Sequence, residues 1–249
     1  MRHTLKFIYS LITENNGDCS KNKTHCHKFK PVYGYEFSYD GNIFRQNDDE
    51  GFMAFLEQIA QRRSIYAIGK NVELSKQEIE STIQEAVRLS PSSFNSQTSR
   101  VVTLYGEAHT QFWNIVRETL RQIVPVEAFA GTNAKIDSFS AGYGTALFYE
   151  DQNVVKSLQE QFALYADNFP VWSEHSSAIA QFAVWTALSE KNVGASLQHY
   201  NPIVDNEVAA KFNVPAHWKL RAQLVFGSIE APAGEKTFID DAERFKTFG

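Results

Sequence analysis

Between Ala178 and Leu188 the chain is almost wholly apolar, broken only by Gln181 and Thr186. A helix that is apolar all round has no face to offer water and must be buried on every side. The run is too short to cross a bilayer, which takes about 18–20 apolar residues. In a domain of this size it is therefore a central helix or a helix at a subunit interface. A chain of 249 residues can bury enough surface for such a core without disulfide or metal staples.

Other segments supply the layers around it. Phe55, Leu56, Ile59 and Ala60 form one stripe of a helix from about Phe55 to Arg63. Ser75-Lys76-Gln77-Glu78 has the spacing of a capping box, which opens a second helix with Ile79, Ile83, Ala86, Val87 and Leu89 inward. Ser90-Pro91 ends it, because the residue before proline avoids the helical region. A strand is predicted over Arg100–Tyr105, and a helix over residues 108–124 with Phe112, Trp113, Ile115, Val116 and Leu120 inward. Residues 125–141 show no clear pattern. Gly144–Tyr149 is a short apolar run that suits a buried strand. Residues 153–165 look helical, and two further strands are expected near 193–200 and 219–228 with a short helix between them. The class is α+β, or a three-layer α/β/α sandwich.

Residues 1–52 read differently. They hold both cysteines, three of the seven histidines, and seven basic against seven acidic residues, so the whole net charge of −5 falls on residues 53–249. No apolar period runs through them for long. The opening apolar stretch is too short and interrupted for a signal peptide, and no cleavage site follows it. Cys19, His25, Cys26 and His27 match no zinc spacing. The helical pattern begins at Met53, which is the expected functional start, with residues 1–52 a misassigned leader or a disordered extension of the domain at 53–249.

The acidic balance argues against a nucleic-acid partner, and sparse cysteine use fits a reducing, cytoplasmic compartment. There is no G-x-S-x-G, P-loop or H-E-x-x-H, and no metal is expected. Histidines His109, His175, His199 and His217 are scattered, as surface or packed residues would be. Gly142-Tyr143-Gly144 begins a dinucleotide fingerprint, but Leu147 stands where the third glycine belongs.

Two segments stand out. Arg62-Arg63-Ser64 places two guanidinium groups and a hydroxyl together. One arginine suits the C-terminal end of a helix by itself; two can also grip a phosphate. Pro91-Ser92-Ser93-Phe94-Asn95-Ser96-Gln97 is built from turn residues, yet it offers many neutral donors and acceptors with little bulk. Such a loop fits the polar edge of a flat heterocycle better than it fits acid–base work.

The order and spacing of these two motifs resemble those of the nitroreductase-like flavoproteins. Ala141–Thr145, Leu197-Gln198-His199-Tyr200-Asn201-Pro202, Phe226-Gly227-Ser228 and Gly234-Glu235-Lys236 look like the small microbial subgroup linked to fatty-acid-responsive regulation and to oxidative or nitrosative stress. The resemblance covers about residues 53–249 and none of 1–52. It implies a homodimer with FMN at the subunit interface, reduced by NAD(P)H and reoxidised by a nitroaromatic or quinone-like acceptor in a ping-pong cycle. It implies that Arg62, Arg63 and Ser64 hold the phosphate and ribityl chain, with Lys236 a further phosphate cation. Pro91, Ser92, Ser93 and Asn95 would reach the flavin from the other subunit. Leu197 and Gln198 stand beside it, where the family has a Glu-Gly pair after a proline. The nicotinamide and acceptor pocket is therefore not carried over residue by residue, and His199 is the candidate proton donor.

A flavin carries hydride chemistry itself, so the absence of protein nucleophiles and metals agrees with this reading. Two alternatives stay open: a non-catalytic or slow flavin-binding regulator of the same fold, and a Rossmann-type reductase without flavin.

Overall fold

The structure is a computed structural model, and it describes residues 55–249. The expectations for the extension and for Cys19, His25, Cys26 and His27 lie outside the described residues. The elements are α1 (Phe55–Gln61), β1 (Ile68–Gly69), α2 (Lys76–Leu89), β2 (Ser99–Tyr105), α3 (Gly106–Arg121), α4 (Phe129–Ser140), β3 (Gly144–Asp151), α5 (Gln152–Gln161), α6 (Phe169–Glu190), β4 (Gly194–Gln198), α7 (Asp205–Phe212), β5 (Trp218–Ile229) and α8 (Asp241–Arg244). Short 3-10 turns occupy Ser93–Asn95, Val126–Ala128 and Ala163–Asn168.

The sheet runs β1-β5-β3-β2, with β4 also paired to β5, and every strand pair in it is antiparallel. That topology excludes the parallel, doubly wound Rossmann alternative. β3 pairs β2 from Ser99↔Glu150 to Tyr105↔Gly144, and it pairs β5 from Gly144↔Phe226 to Asp151↔Trp218 with a bulge between Phe148 and Tyr149. All eight residues of β3 are buried. Leu147, Tyr149, Leu220 and Val225 point into one core with Phe112, Trp113 and Val116 of α3, Ile136 and Phe139 of α4, and Val208 of α7. Ala146, Phe148, Ala222, Leu224 and Phe226 point into another with Ile79 and Ile83 of α2 and Val184 and Leu188 of α6. Two cores on opposite faces of one sheet make the three-layer α/β/α arrangement. They also explain why the β3 run reads as continuously apolar rather than alternating.

α2 opens on its capping box: Ser75 Oγ accepts the Glu78 N–H (3.2 Å) and the Glu78 carboxylate accepts the Ser75 N–H (2.8 Å). Several expectations need correction. α1 stops at Gln61 and none of its residues is buried; Phe55 and Leu56 are exposed. Leu89 at the end of α2 is also exposed. The helix expected over 153–165 ends at Gln161, where a 3-10 turn takes over. Of the two readings for the apolar run, the single chain does not make α6 a wholly central helix: Ala178, Ile179 and Phe182 form an exposed stripe. The unclear stretch before β3 is helical, forming α4. β1 carries no sequence signal, being two residues long.

His109 is packed in the first core, 1% exposed. Trp113 Nε1 donates to Thr145 Oγ1 (3.0 Å), which leaves the Thr145 hydroxyl hydrogen for His109 Nδ1 at 2.9 Å. His109 Nε2–H then faces the Ser140 carbonyl at 3.3 Å, which sets the neutral tautomer. Burial pushes the imidazole pKa down to about 4. Because the folded value lies below the unfolded one, the unfolded chain binds more protons between them. Stability is therefore complete above about pH 6.5 and falls as the pH drops toward 4. From pH 7 to pH 5 this one group should remove about 2 kcal/mol. His109→Gln should flatten that part of the profile in denaturant titrations, and an unchanged profile would remove His109 as its source.

Candidate functional site

Arg62, Arg63 and Ser64 follow α1 directly. The Arg62 N–H still donates to Gln58 (3.0 Å), and the chain then runs extended along the sheet. Ser64 bridges Ala195 in parallel, and Ile65 N–H donates to the Ala195 carbonyl (2.9 Å). Glu230 N–H donates to Ala67 (2.9 Å), and Ile68 and Gly69 pair with Ile229 and Ser228 of β5. The two arginines thus ride on a strap tied to β4 and β5. Opposite lies the segment after β5. Between them is a cleft of about 540 Å³, lined among others by Arg62, Arg63, Ser64, Tyr66, Gly234 and Lys236.

Arg63 donates to the Gly234 carbonyl (2.6 Å), tying one wall to the other. The Arg62 guanidinium lies over the Trp185 ring, 4.4 Å from its centroid, with the Phe182 ring at 5.9 Å. Its Nε is buried and has no hydrogen-bond partner among the described residues. Burial, and then the neighbouring Arg63 charge, hold this guanidinium below its ordinary pKa. Among the described residues neither arginine nor Lys236 makes an ion pair. Glu235 is the one acid in the lining. Two forked donors and an ammonium around an open cleft, one of them partly desolvated and without an ion-pair partner among the described residues, suit a phosphate group.

The serine-rich motif lies elsewhere in the chain. Pro91, Ser92 and Gln97 line a smaller hollow of about 160 Å³ with Ser99, Arg100 and Ser176. Ser92 Oγ accepts the Gln97 N–H (2.9 Å), closing the loop around the 3-10 turn that carries Ser93 and Asn95. Phe94, Asn95 and Gln97 all have positive φ, at 58°, 49° and 48°. Phe94 packs among Phe162, Tyr165, Phe169 and Trp172, with ring centroids 5.0–6.3 Å away. Phe94, Phe162 and Tyr165 stay partly open to solvent.

Within one chain the structure does not bring Pro91, Ser92, Ser93 and Asn95 onto the arginine cleft. Nor do Leu197 and Gln198 line it. Both belong to β4; Gln198 is buried and bonds Ser196 Oγ (3.1 Å), and Leu197 packs on the second core. His199 is exposed just beyond β4. Lys236 does reach the cleft, with its Nζ 5.0 Å from the Phe238 ring centroid. Trp185 and Phe182 carry no signal of their own in the sequence, where they read only as members of the apolar run. Among the described residues no group of three or more His, Cys, Asp or Glu is placed to hold a metal, and no helix is long and apolar enough to cross a membrane.

Comparison with known proteins agrees with this architecture. The model of the nitroreductase family matches residues 59–228. Two Saccharomyces cerevisiae proteins are similar: HBN1, 35% identical over 77% of this chain and 96% of its own, and the nitroreductase FRM2, 32% identical over 75% and 94%. The nitroreductase CinD from Lactococcus lactis, solved with nicotinic acid, is 56% identical with a TM-score of 0.74, covering 79% of this chain and all of its own. The same protein has been solved with chloramphenicol and with 4-nitrophenol. A family match over most of the chain, borne on an α/β/α sandwich with an arginine-rich cleft, means that the chain belongs to the nitroreductase family of flavin-dependent oxidoreductases.

Proposed function

We propose that this protein is an FMN-dependent NAD(P)H oxidoreductase that reduces nitroaromatic or quinone-like acceptors, working as a homodimer. The observation that carries the reading is the Arg62–Arg63–Lys236 cleft, with Arg62 partly desolvated and its buried Nε unpartnered among the described residues. Arg62, Arg63 and Lys236 would hold the FMN phosphate, and Ser64 the ribityl chain. Hydride chemistry is what the flavin supplies when bound. The rest falls to the chain's own residues. The exposed apolar stripe of α6 and the exposed Phe55 and Leu56 give a second copy something to cover. Across that seam the small hydroxyls of Ser92 and Ser93 and the Asn95 amide would meet the polar edge of the ring system. The partly exposed rings of Phe94, Phe162 and Tyr165, tilted against one another, offer an apolar, aromatic surface for an aromatic acceptor. The ligands solved with the Lactococcus lactis protein support this class, since chloramphenicol and 4-nitrophenol both carry a nitro group on an aromatic ring. A donor and an acceptor that use one site in turn give ping-pong kinetics, and exposed His199 is the candidate proton donor to the acceptor.

The test is the absorbance spectrum of the purified protein, followed by anaerobic NADH or NADPH and then a nitroaromatic. Flavin bands that bleach with nucleotide and return with acceptor are expected. Bands that do not bleach would favour the flavin-binding regulator. No flavin uptake after reconstitution with FMN would overturn the reading.

A chain starting at Met53 is expected to keep its flavin content and turnover. The family match begins at residue 59, and the whole Lactococcus lactis chain is covered by 79% of this one. Loss of flavin from the shortened chain would make residues 1–52 part of the folded unit.

A further inference from the structure

We infer that Trp185 is a positioning residue for the phosphate-binding arginine Arg62, acting from behind the cleft without touching the ligand. The inference rests on the phosphate role of the cleft proposed above. Trp185 belongs to α6 and is not part of the cleft lining, whereas Arg62 is. Its ring sits 4.4 Å below the Arg62 guanidinium carbon, within range of a cation–π contact, and Phe182, one turn earlier on α6, flanks the same group.

Three observations argue that this ring is kept for its face rather than for its bulk. First, the indole Nε1 is buried and has no hydrogen-bond partner among the described residues, a state tryptophan usually avoids. An apolar residue would fill the same space without that cost. Second, Arg62 Nε is also buried and has no hydrogen-bond partner among the described residues, so no hydrogen bond from that nitrogen fixes the side chain in place. Third, Arg63 is fixed independently by the Gly234 carbonyl at 2.6 Å. Stacking is what holds Arg62 to match. A free arginine side chain loses much rotamer freedom on gripping an anion, and one already pinned against a ring loses less. Trp185 thus prepares Arg62 before the phosphate arrives, and it offsets the repulsion from Arg63 while no anion is present.

The test is flavin titration of the full-length protein stripped of bound flavin, with FMN and with riboflavin, which lacks the phosphate. Trp185→Leu should weaken FMN binding about tenfold, close to 1.4 kcal/mol, and leave riboflavin within about twofold. Trp185→Phe, which keeps an aromatic face, should restore most of the loss. In an Arg62→Ala background neither substitution should weaken FMN further. Equal losses for FMN and riboflavin, or a Trp185 effect that persists without Arg62, would overturn the inference. So would FMN affinity unchanged in Trp185→Leu. If the leucine variant does not fold, Trp185→Phe carries the test, with a loss of about two- to fourfold confined to FMN expected from its weaker quadrupole. Wild-type protein that binds FMN and riboflavin equally would overturn the phosphate reading itself, a result distinct from all of these.

Discussion

The double substitution Arg62→Ala/Arg63→Ala should weaken FMN binding at least about a hundredfold, since a hydrogen bond to a charged group contributes about 1.5–3 kcal/mol and two are removed. The two arginines serve one ligand, so their separate losses will not add simply. The apoprotein should not suffer in proportion. Arg62 is partly desolvated, repelled by Arg63 and without an ion-pair partner among the described residues, so removing both relieves an unfavourable arrangement. What is lost in exchange is the stacking of Arg62 on Trp185 and the Arg63 bond to Gly234. The apo melting temperature should therefore stay near wild type while the rise on adding FMN disappears. Fluorescence titration with FMN and melts with and without it check both halves. A variant that still binds FMN with wild-type affinity would place the phosphate elsewhere.

What the sequence reveals, and where it stops, follows from the range of the interactions. The capping box at Ser75 and Glu78 is a contact three residues long, and it forms as its spacing predicts. The β3 strand was legible as an apolar run, but it continues through Glu150 and Asp151. Glu150 is fully buried because Ser99 and Ser173, distant in sequence, donate to its carboxylate at 2.5 and 2.6 Å. α1 shows the limit of periodicity. Its stripe has a helical period, yet Phe55 and Leu56 face outward in the single chain. A period states that a face is apolar and leaves open what covers it. α6 repeats the lesson with Ile179 and Phe182.

The site divides in the same way. Arg62 and Arg63 are neighbours and could be read together. The wall opposite them, Gly234 to Lys236, has no local signal; the resemblance alone offers Lys236, and the β1–β5 pairing is what brings it across. Trp185 has no local mark at all, since its role exists only in the ring contact with Arg62. The antiparallel sheet, which decides against a dinucleotide fold, is likewise a property of pairing and not of any one segment.

Gly227→Ala should cost about 3 kcal/mol and lower the melting temperature by roughly 6–12 °C, although the residue lies outside the cleft lining. A Cβ at Gly227 would stand 2.2 Å from the Gly69 carbonyl oxygen and 3.1 Å from the Tyr143 nitrogen. Both are backbone atoms, so no rotamer change relieves the clash and a strand must move. β1 is the one to yield. It is two residues long and rests on the pairs Ile68↔Ile229 and Gly69↔Ser228 and the Ala67–Glu230 bond, whereas β5 is held by β3 and β4 as well. The residues that move with β1 are those just before it, which carry Arg62, Arg63 and Ser64. Gly227→Ala should therefore weaken FMN binding as well as stability, through a displacement of the strap. Gly131→Ala is the matched control: it lies in α4, a Cβ there meets nothing within 4 Å, and alanine in a helix should add about 0.5–1 kcal/mol. A Gly227→Ala protein that melts with wild type would show that the close approach of β1 and β5 is not what seats the arginines. One that is destabilised yet binds FMN normally would show that the strap holds its place without β1.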